Sequence, residues 1–308
     1  MNSRRTIISA ALATVLTVLA ACGKTEIPQP KPTPTPDPQE DTSTVVEPAA
    51  CTNRIVAHRG GAAECGYPDN SRASLQYAMK LKLYGSECDI YWTKDNNVII
   101  GHASSDYKLN GLTPWTSTVD EIRKAGKLKN GEEMPTLDDF LDIVLTKDNC
   151  TRLILDIKNL GSSLTDYPCK AVQRACEIIK EKGAEKFCEF ICTSNTTVAR
   201  TAAACMQTYN IPVGWMSQSA PATHKSYGFS WANLPAASMC TAAGGSGSFT
   251  VDQFASAGMQ ISVFNLDSKS GDSNAVYSAQ ALSYYKSNYS KMKFICTNYP
   301  NWLLNQLK

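Results

Sequence analysis

The chain has 308 residues, 43% hydrophobic and 19% charged, a globular composition long enough for one large α/β domain or two smaller ones. Its 30 basic and 28 acidic residues leave a net charge of +2 with no basic run or stripe, so nucleic acid is excluded as a partner. Nothing in the sequence sets an oligomeric state.

The N-terminus predicts a secretory signal over residues 1–21, because Arg4 and Arg5 precede a small and apolar run from Thr6 to Ala20 that is too short for an ordinary spanning helix. Its end, Leu19-Ala20-Ala21-Cys22-Gly23, resembles the lipobox of bacterial lipoproteins, which implies cleavage before Cys22 and lipidation of that residue. From Lys24 to Ala50 seven prolines leave no apolar period, which predicts an extended tether over residues 22–50. The expected location is therefore outside the cytoplasm. The lipid anchor at Cys22 would hold the chain to a membrane, and Gly23 after it points to the outer membrane or a periplasmic face.

Removing Cys22 leaves eleven of the 12 cysteines, none spaced as a CxxC pair. Those within apolar runs, such as Cys188, Cys192, Cys240 and Cys296, read as buried thiols, and sequence alone pairs none of them.

Residues 51 to 308 give a domain of 258 residues, close to the ~250 of a closed (β/α)8 TIM barrel. Strands are expected at Ile55–His58, Glu87–Tyr91, Val98–His102, Leu153–Lys158, Phe187–Thr193, Pro212–Met216, Ala237–Cys240, Ile261–Asn265 and Lys293–Thr297. Helical patterns fall between most of them, at Ser71–Lys82, Leu137–Leu145, Cys169–Lys182, Thr196–Tyr209, Asp252–Ala257 and Asn274–Lys286. That alternation predicts a parallel sheet covered by helices. Nine strands are one too many for the barrel, so at least one lies outside it.

The first strand ends in His58-Arg59-Gly60-Gly61, at what would be the active face of a barrel. Tyr67-Pro68-Asp69-Asn70-Ser71 follows, with Asp69, Asn70 or Ser71 placed to cap the next helix or shape the site. In Ser86 to His102, Glu87 and Asp89 sit two apart on a strand and so share a face, while the turn at Lys94–Asn97 returns the chain to bring His102 back toward them. Asp156 and Lys158 also share a face, opposite Leu153, Leu155 and Ile157. His224 reads as a loop residue; Trp215, Trp231 and Phe264 read as core or pocket wall.

Taken together, His58-Arg59-Gly60, Pro68-Asp69-Asn70-Ser71, Glu87-Cys88-Asp89, His102, Leu155-Asp156-Ile157-Lys158, Ser262-Val263-Phe264-Asn265 and Thr297-Asn298-Tyr299-Pro300 resemble, in order and spacing, the glycerophosphodiester phosphodiesterase family. The resemblance runs from about residue 54 to 302 and implies a (β/α)8 barrel. It further implies one divalent cation, Ca²⁺ or Mg²⁺, on Glu87, Asp89 and Asp156, since hard oxygen donors suit those ions. Arg59 and Lys158 would contact the phosphate, and His58 and His102 would act as base and acid. The implied reaction cleaves glycerophosphodiesters to an alcohol and glycerol 3-phosphate, through attack by the substrate's own neighbouring hydroxyl and a cyclic phosphate.

The chain also departs from the family pattern. Asp69 and Asp156 stand where Glu is usual, and Ala103 and Asn298 where Asp is usual, with Asp106 as a possible stand-in for the former. Two alternatives follow. One is a catalytically weakened phosphate- or glycan-binding surface lipoprotein on the same barrel. The other is a phosphatidylinositol phospholipase C-like enzyme, which the three carboxylates argue against.

Overall fold

The computed structural model of the protein describes residues 46–308, so the signal segment 1–21, Cys22 and the tether through Val45 lie outside the described residues. Among the described residues no helix is long and apolar enough to cross a membrane. Among the described residues nine strands form: β1 Ile55–Ala57, β2 Gly85–Trp92, β3 Val98–Ile100, β4 Arg152–Ile157, β5 Cys188–Cys192, β6 Val213–Trp215, β7 Trp231–Pro235, β8 Gln260–Phe264 and β9 Ile295–Thr297. Their order, β1-β9-β8-β7-β6-β5-β4-β2 with β1 pairing β2, closes an eight-stranded parallel barrel, the expected (β/α)8 TIM barrel.

The strand beyond eight is β3, which hangs antiparallel on β2 with Ile90 opposite Ile100 and Trp92 opposite Val98. A second expectation needs correction at Ala237–Cys240. Ala236–Ser238 is a 3₁₀ turn, and Met239 and Cys240 make only isolated bridges. The barrel strand lies earlier, at Trp231–Pro235, where an inward Asn233 and the terminal Pro235 break the apolar run that marks the other strands.

The last long helix begins at Ala279, capped by Ser278, rather than at Asn274, because residues 265–278 form a loop along the pocket rim. Besides the one-turn helix Ala62–Cys65, three further helices escape the apolar-period reading: Val119–Ala125, Pro221–Ser226 and Pro300–Leu307. His224 is buried in the second of them, donating from Nε2 to Ser217 O (3.0 Å) and packed against Trp215 and Phe254, so it is not a loop residue.

Alternation along the strands sorts side chains into two cores. Cys88, Ile90, Leu153, Leu155 and Ile157 face the helices, while Val56, Ile154, Ile191, Trp231, Phe294 and Cys296 fill the barrel interior. Trp231 is accommodated by Gly214 on the neighbouring strand, where a Cβ would stand 2.3 Å from the indole. At the N-terminal end of the barrel Glu189 accepts hydrogen bonds from Tyr84 (2.5 Å) and Lys293 (3.0 Å), and Lys293 lies over the Trp231 ring. These groups plug the lower end with a neutralised charge pair. The described chain already touches the domain ahead of Cys51: Val46 packs on the helix-side core, Glu47 pairs with Lys186 (2.7 Å), and Ala49 N–H donates to Asn149 O (2.8 Å).

Candidate active site

A cavity of about 1120 Å³ opens at the C-terminal ends of the strands and is lined by His58, Arg59, Glu87, His102, Asp156 and Lys158, with Asp89 buried beside them. All seven residues singled out for the site therefore meet at one mouth, the face where barrel enzymes place their chemistry.

Each is positioned locally. The turn after β1 is tight enough that Arg59 adopts a left-handed φ of 49°, which lets its backbone N–H donate to Glu87 Oε2 (2.9 Å). Gly60 must be glycine there, since its φ is +82° and a Cβ would fall 2.3 Å from Ser74 Oγ. Ser71 caps the helix Arg72–Lys80 by accepting from Ser74 N–H, which releases Asn70 for the site. Asn70 donates from Nδ2 to Asp89 Oδ2 (2.8 Å) and accepts the Asp89 N–H at Oδ1 (3.3 Å), clamping that carboxylate. Asp69 instead meets Arg59 Nη1 at 3.3 Å. The β2–β3 turn is fixed by Thr93 donating to Asp95 (2.6 Å) and by Asn96 at φ 55°. Gly101 N–H then donates to Asp89 O (3.1 Å), so His102 is delivered at the level of the carboxylates.

Ligand oxygens of Glu87, Asp89 and Asp156 lie within 4.8 Å of one another. Burial, with repulsion from Asp89 and Asp156, pushes the Glu87 pKa well above the usual carboxylate range. Burial would raise Asp89 as well, but Lys158 and Arg59 outweigh it and hold Asp89 down to about 2. Lys158 Nζ bridges Asp89 Oδ1 (2.5 Å) and Asp156 Oδ2 (2.6 Å), and these carboxylates raise its pKa against the effect of burial. Asp156 Oδ1 is buried without a partner. A crowded, all-oxygen, electron-rich cluster with an unsatisfied carboxylate oxygen fits a hard divalent cation.

The histidines approach from different elements. His58 Nδ1 lies 2.7 Å from Asn298 Oδ1, and Asn298 in turn donates from Nδ2 to Asp267 Oδ2 (2.8 Å) and from its backbone N–H to Asp267 Oδ1 (2.8 Å). An ionised Asp267 only accepts, so the amide of Asn298 is oriented with its oxygen toward His58. Nδ1 therefore carries the proton, and Nε2, 3.9 Å from Glu87, presents a lone pair to the pocket. Burial, then Arg59, lowers the His58 pKa. His102 is lowered by burial, with Asp89 opposing and Arg59 and Lys158 adding to the shift.

The sequence reading missed this chain of partners: it counted Asn298 as a lost rim acid and did not single out Asp267. The pairs are separated by 240 and 31 positions, and the pairing of β9 with β1 on one side and β8 on the other brings them together. Asp106 does not replace the missing acid at Ala103. It binds Ser104 (2.5 Å) and Lys108 (2.7 Å) at the surface and is not part of the cavity wall. Asn233 was also missed. Trp231 Nε1 donates to Ser262 Oγ (2.8 Å), so the Ser262 proton goes to Asn233 Oδ1 (2.7 Å), leaving Asn233 Nδ2 unpartnered beneath the cavity.

The model of the glycerophosphoryl diester phosphodiesterase family matches residues 58–301. A curated glycerophosphodiester phosphodiesterase of Caldanaerobacter subterraneus subsp. tengcongensis is 31% identical over 140 residues, which are 43% of this chain; the chain spans about half of that relative, 54% of its length. Among solved structures, a glycerophosphodiester phosphodiesterase from Parabacteroides distasonis superposes with a TM-score of 0.65 at 22% identity, covering 83% of this chain and 96% of that one. An Oleispira antarctica phosphodiesterase in complex with the product sn-glycerol-3-phosphate gives 0.61 at 17% identity, covering 82% and 96%. At these identities the structural likenesses speak for the barrel.

Proposed function

Because the chain belongs to the glycerophosphoryl diester phosphodiesterase family, we propose that it hydrolyses glycerophosphodiesters to an alcohol and glycerol 3-phosphate with a divalent cation, Ca²⁺ or Mg²⁺, held by Glu87, Asp89 and Asp156. The observation that carries this reading is the convergence of those three carboxylates, two cationic side chains and two histidines at one cavity mouth. When bound, the cation adds positive charge where phosphoryl oxygens gather negative charge.

The remaining work falls to the chain's own groups. Arg59 presents a planar guanidinium and Lys158 a point charge to the phosphoryl oxygens. His58, protonated at Nδ1 and free at Nε2, takes the proton from the attacking glycerol hydroxyl as its oxygen bonds to phosphorus. His102 gives a proton to the departing alkoxide as the phosphorus–oxygen bond breaks. The two then exchange roles as water opens the cyclic phosphate, which restores both protons. Phe264 supplies an apolar wall to the cavity.

Excess chelator is expected to abolish release of alcohol from a simple glycerophosphodiester, and Ca²⁺ or Mg²⁺ to restore it. Full activity in chelator would remove the cation from the reading. Equal, null rates for wild type and His58→Ala would instead favour the binding-protein alternative.

We also propose that the enzyme is exported and anchored through lipid on Cys22, on the strength of Arg4, Arg5, the apolar run and the small residues before that cysteine. Incorporation of labelled fatty acid should vanish in Cys22→Ala; labelling that persists would place the anchor elsewhere.

A further inference from the structure

None of the eleven cysteines after Cys22 is joined in a disulfide in this structure, and two of them converge below the barrel, far from the cavity mouth. Cys51 lies in the lead-in to β1, and Cys150 in the turn before β4. Cys51 Sγ reaches the carbonyl oxygens of Asn53 (3.4 Å) and Lys82 (3.7 Å), and Cys150 Sγ reaches those of Lys82 (3.5 Å) and Leu83 (3.8 Å). Both thiols thus converge on the Lys82 carbonyl, and Cys150 is near enough to add to the rise in the Cys51 pKa.

The backbone that carries them is clamped on both sides. Asn53 donates to Lys82 O (2.9 Å) and accepts from Ile55 N–H and Tyr84 N–H. Asn149 donates to Val144 O (2.8 Å) and Thr151 O (2.9 Å), and Thr151 Oγ donates to Leu83 O (2.9 Å). Ala49 N–H on Asn149 O (2.8 Å) ties the two segments directly. The backbone carrying both cysteines is thus fixed on either side of the Lys82 carbonyl.

We propose that Cys51 and Cys150 form a disulfide that staples the lead-in of residues 46–53 to the turn before β4. Formation proceeds by thiol–disulfide exchange with a small disulfide oxidant such as oxidised glutathione. The half-buried Cys51, as thiolate, attacks one sulfur of the oxidant and releases one glutathione thiolate. The buried Cys150 thiolate then attacks Cys51 Sγ and releases the second glutathione thiolate. Two protein thiols are oxidised, one oxidant disulfide is reduced, and the two protons pass to the departing thiolates. Because burial raises the Cys51 thiol to about 11, exchange is slow at neutral pH and quickens as pH rises.

The test is peptide mapping of the full chain after incubation with oxidised glutathione at mildly alkaline pH, followed by alkylation. The expected product is a linked peptide pair containing Cys51 and Cys150 that separates on reduction with dithiothreitol. The oxidised protein should melt about 5–10 °C above the reduced one, as a cross-link closing so long a loop in a domain of this size predicts. That difference should be absent in Cys51→Ser and in Cys150→Ser alike. Alkylation of both residues after oxidation, a stable glutathione adduct on Cys51, or a dithiothreitol-sensitive melting point in both serine variants would each overturn the proposal. So would oxidation that links only Cys176 to Cys205, which share one buried cluster.

Discussion

Replacing His58 with alanine is expected to lower kcat/KM for a glycerophosphodiester about 1,000-fold, the mid-range for losing a positioned acid–base group. That corresponds to about 4 kcal/mol of transition-state stabilisation. The imidazole is held by Asn298, and the chain of hydrogen bonds through Asn298 to Asp267 stays satisfied in part without it, so the fold should survive. Steady-state kinetics beside a melting curve and a divalent-cation titration make the check. A loss of activity matched by loss of cation binding would mean that His58 acts on the carboxylates rather than on the reaction. The pH profile gives a second readout. The His58 pKa is lowered from 6.5 by burial and Arg59, so the base is free of its proton at and somewhat below that pH. With saturating cation, the acid limb of kcat/KM is expected below pH 6.5 and should stay in place in His102→Gln.

Replacing Asp89 with alanine is expected to destabilise the protein by about 1.5–3 kcal/mol, because it removes a buried carboxylate that the half-buried Lys158 and Arg59 share and leaves them only Asp156 and Asp69. Lys158 Nζ lies 2.5 Å and Arg59 Nε 3.3 Å from its oxygens, and Asn70 would lose its acceptor as well. Urea unfolding measures this, and cation affinity should fall in the same variant. The pH dependence has a definite sign. The folded pKa of about 2 lies below the ordinary 3.8, so the stabilisation from Asp89 is complete above pH 3.8 and drains away as pH falls from there to about 2. In Asp89→Asn that segment of the acid-unfolding curve should flatten. An unchanged curve would show that the ammonium and guanidinium find other partners.

Much of the site is legible in the sequence because it is built from short-range rules. Strand parity alone puts Glu87 with Asp89 and Asp156 with Lys158, and a turn-forming Asp-Asn-Asn brings His102 back along β2. Helices with a strong apolar face and a clear cap, such as Thr196–Tyr209, are readable for the same reason. What escapes depends on closure of the barrel. The strand Trp231–Pro235 carries a polar inward residue that is sensible only when Ser262 on β8 stands beside it. The small apolar run at 236–240 looks like a strand, yet it is apolar because Ala236 and Met239 pack beneath the 241–250 segment. The role of Asn298 is hidden by its distance from His58 along the chain, and by the fact that its value lies in an oriented amide rather than a charge.

Glu189, Lys293 and Tyr84 fill the N-terminal end of the barrel, while the cavity opens at the opposite end. Under the proposed reaction, the released alcohol would leave by the same mouth through which hydrolytic water enters. Small alcohols supplied in excess would queue at the same opening and capture part of the cyclic phosphate, returning a new diester in place of the free monoester.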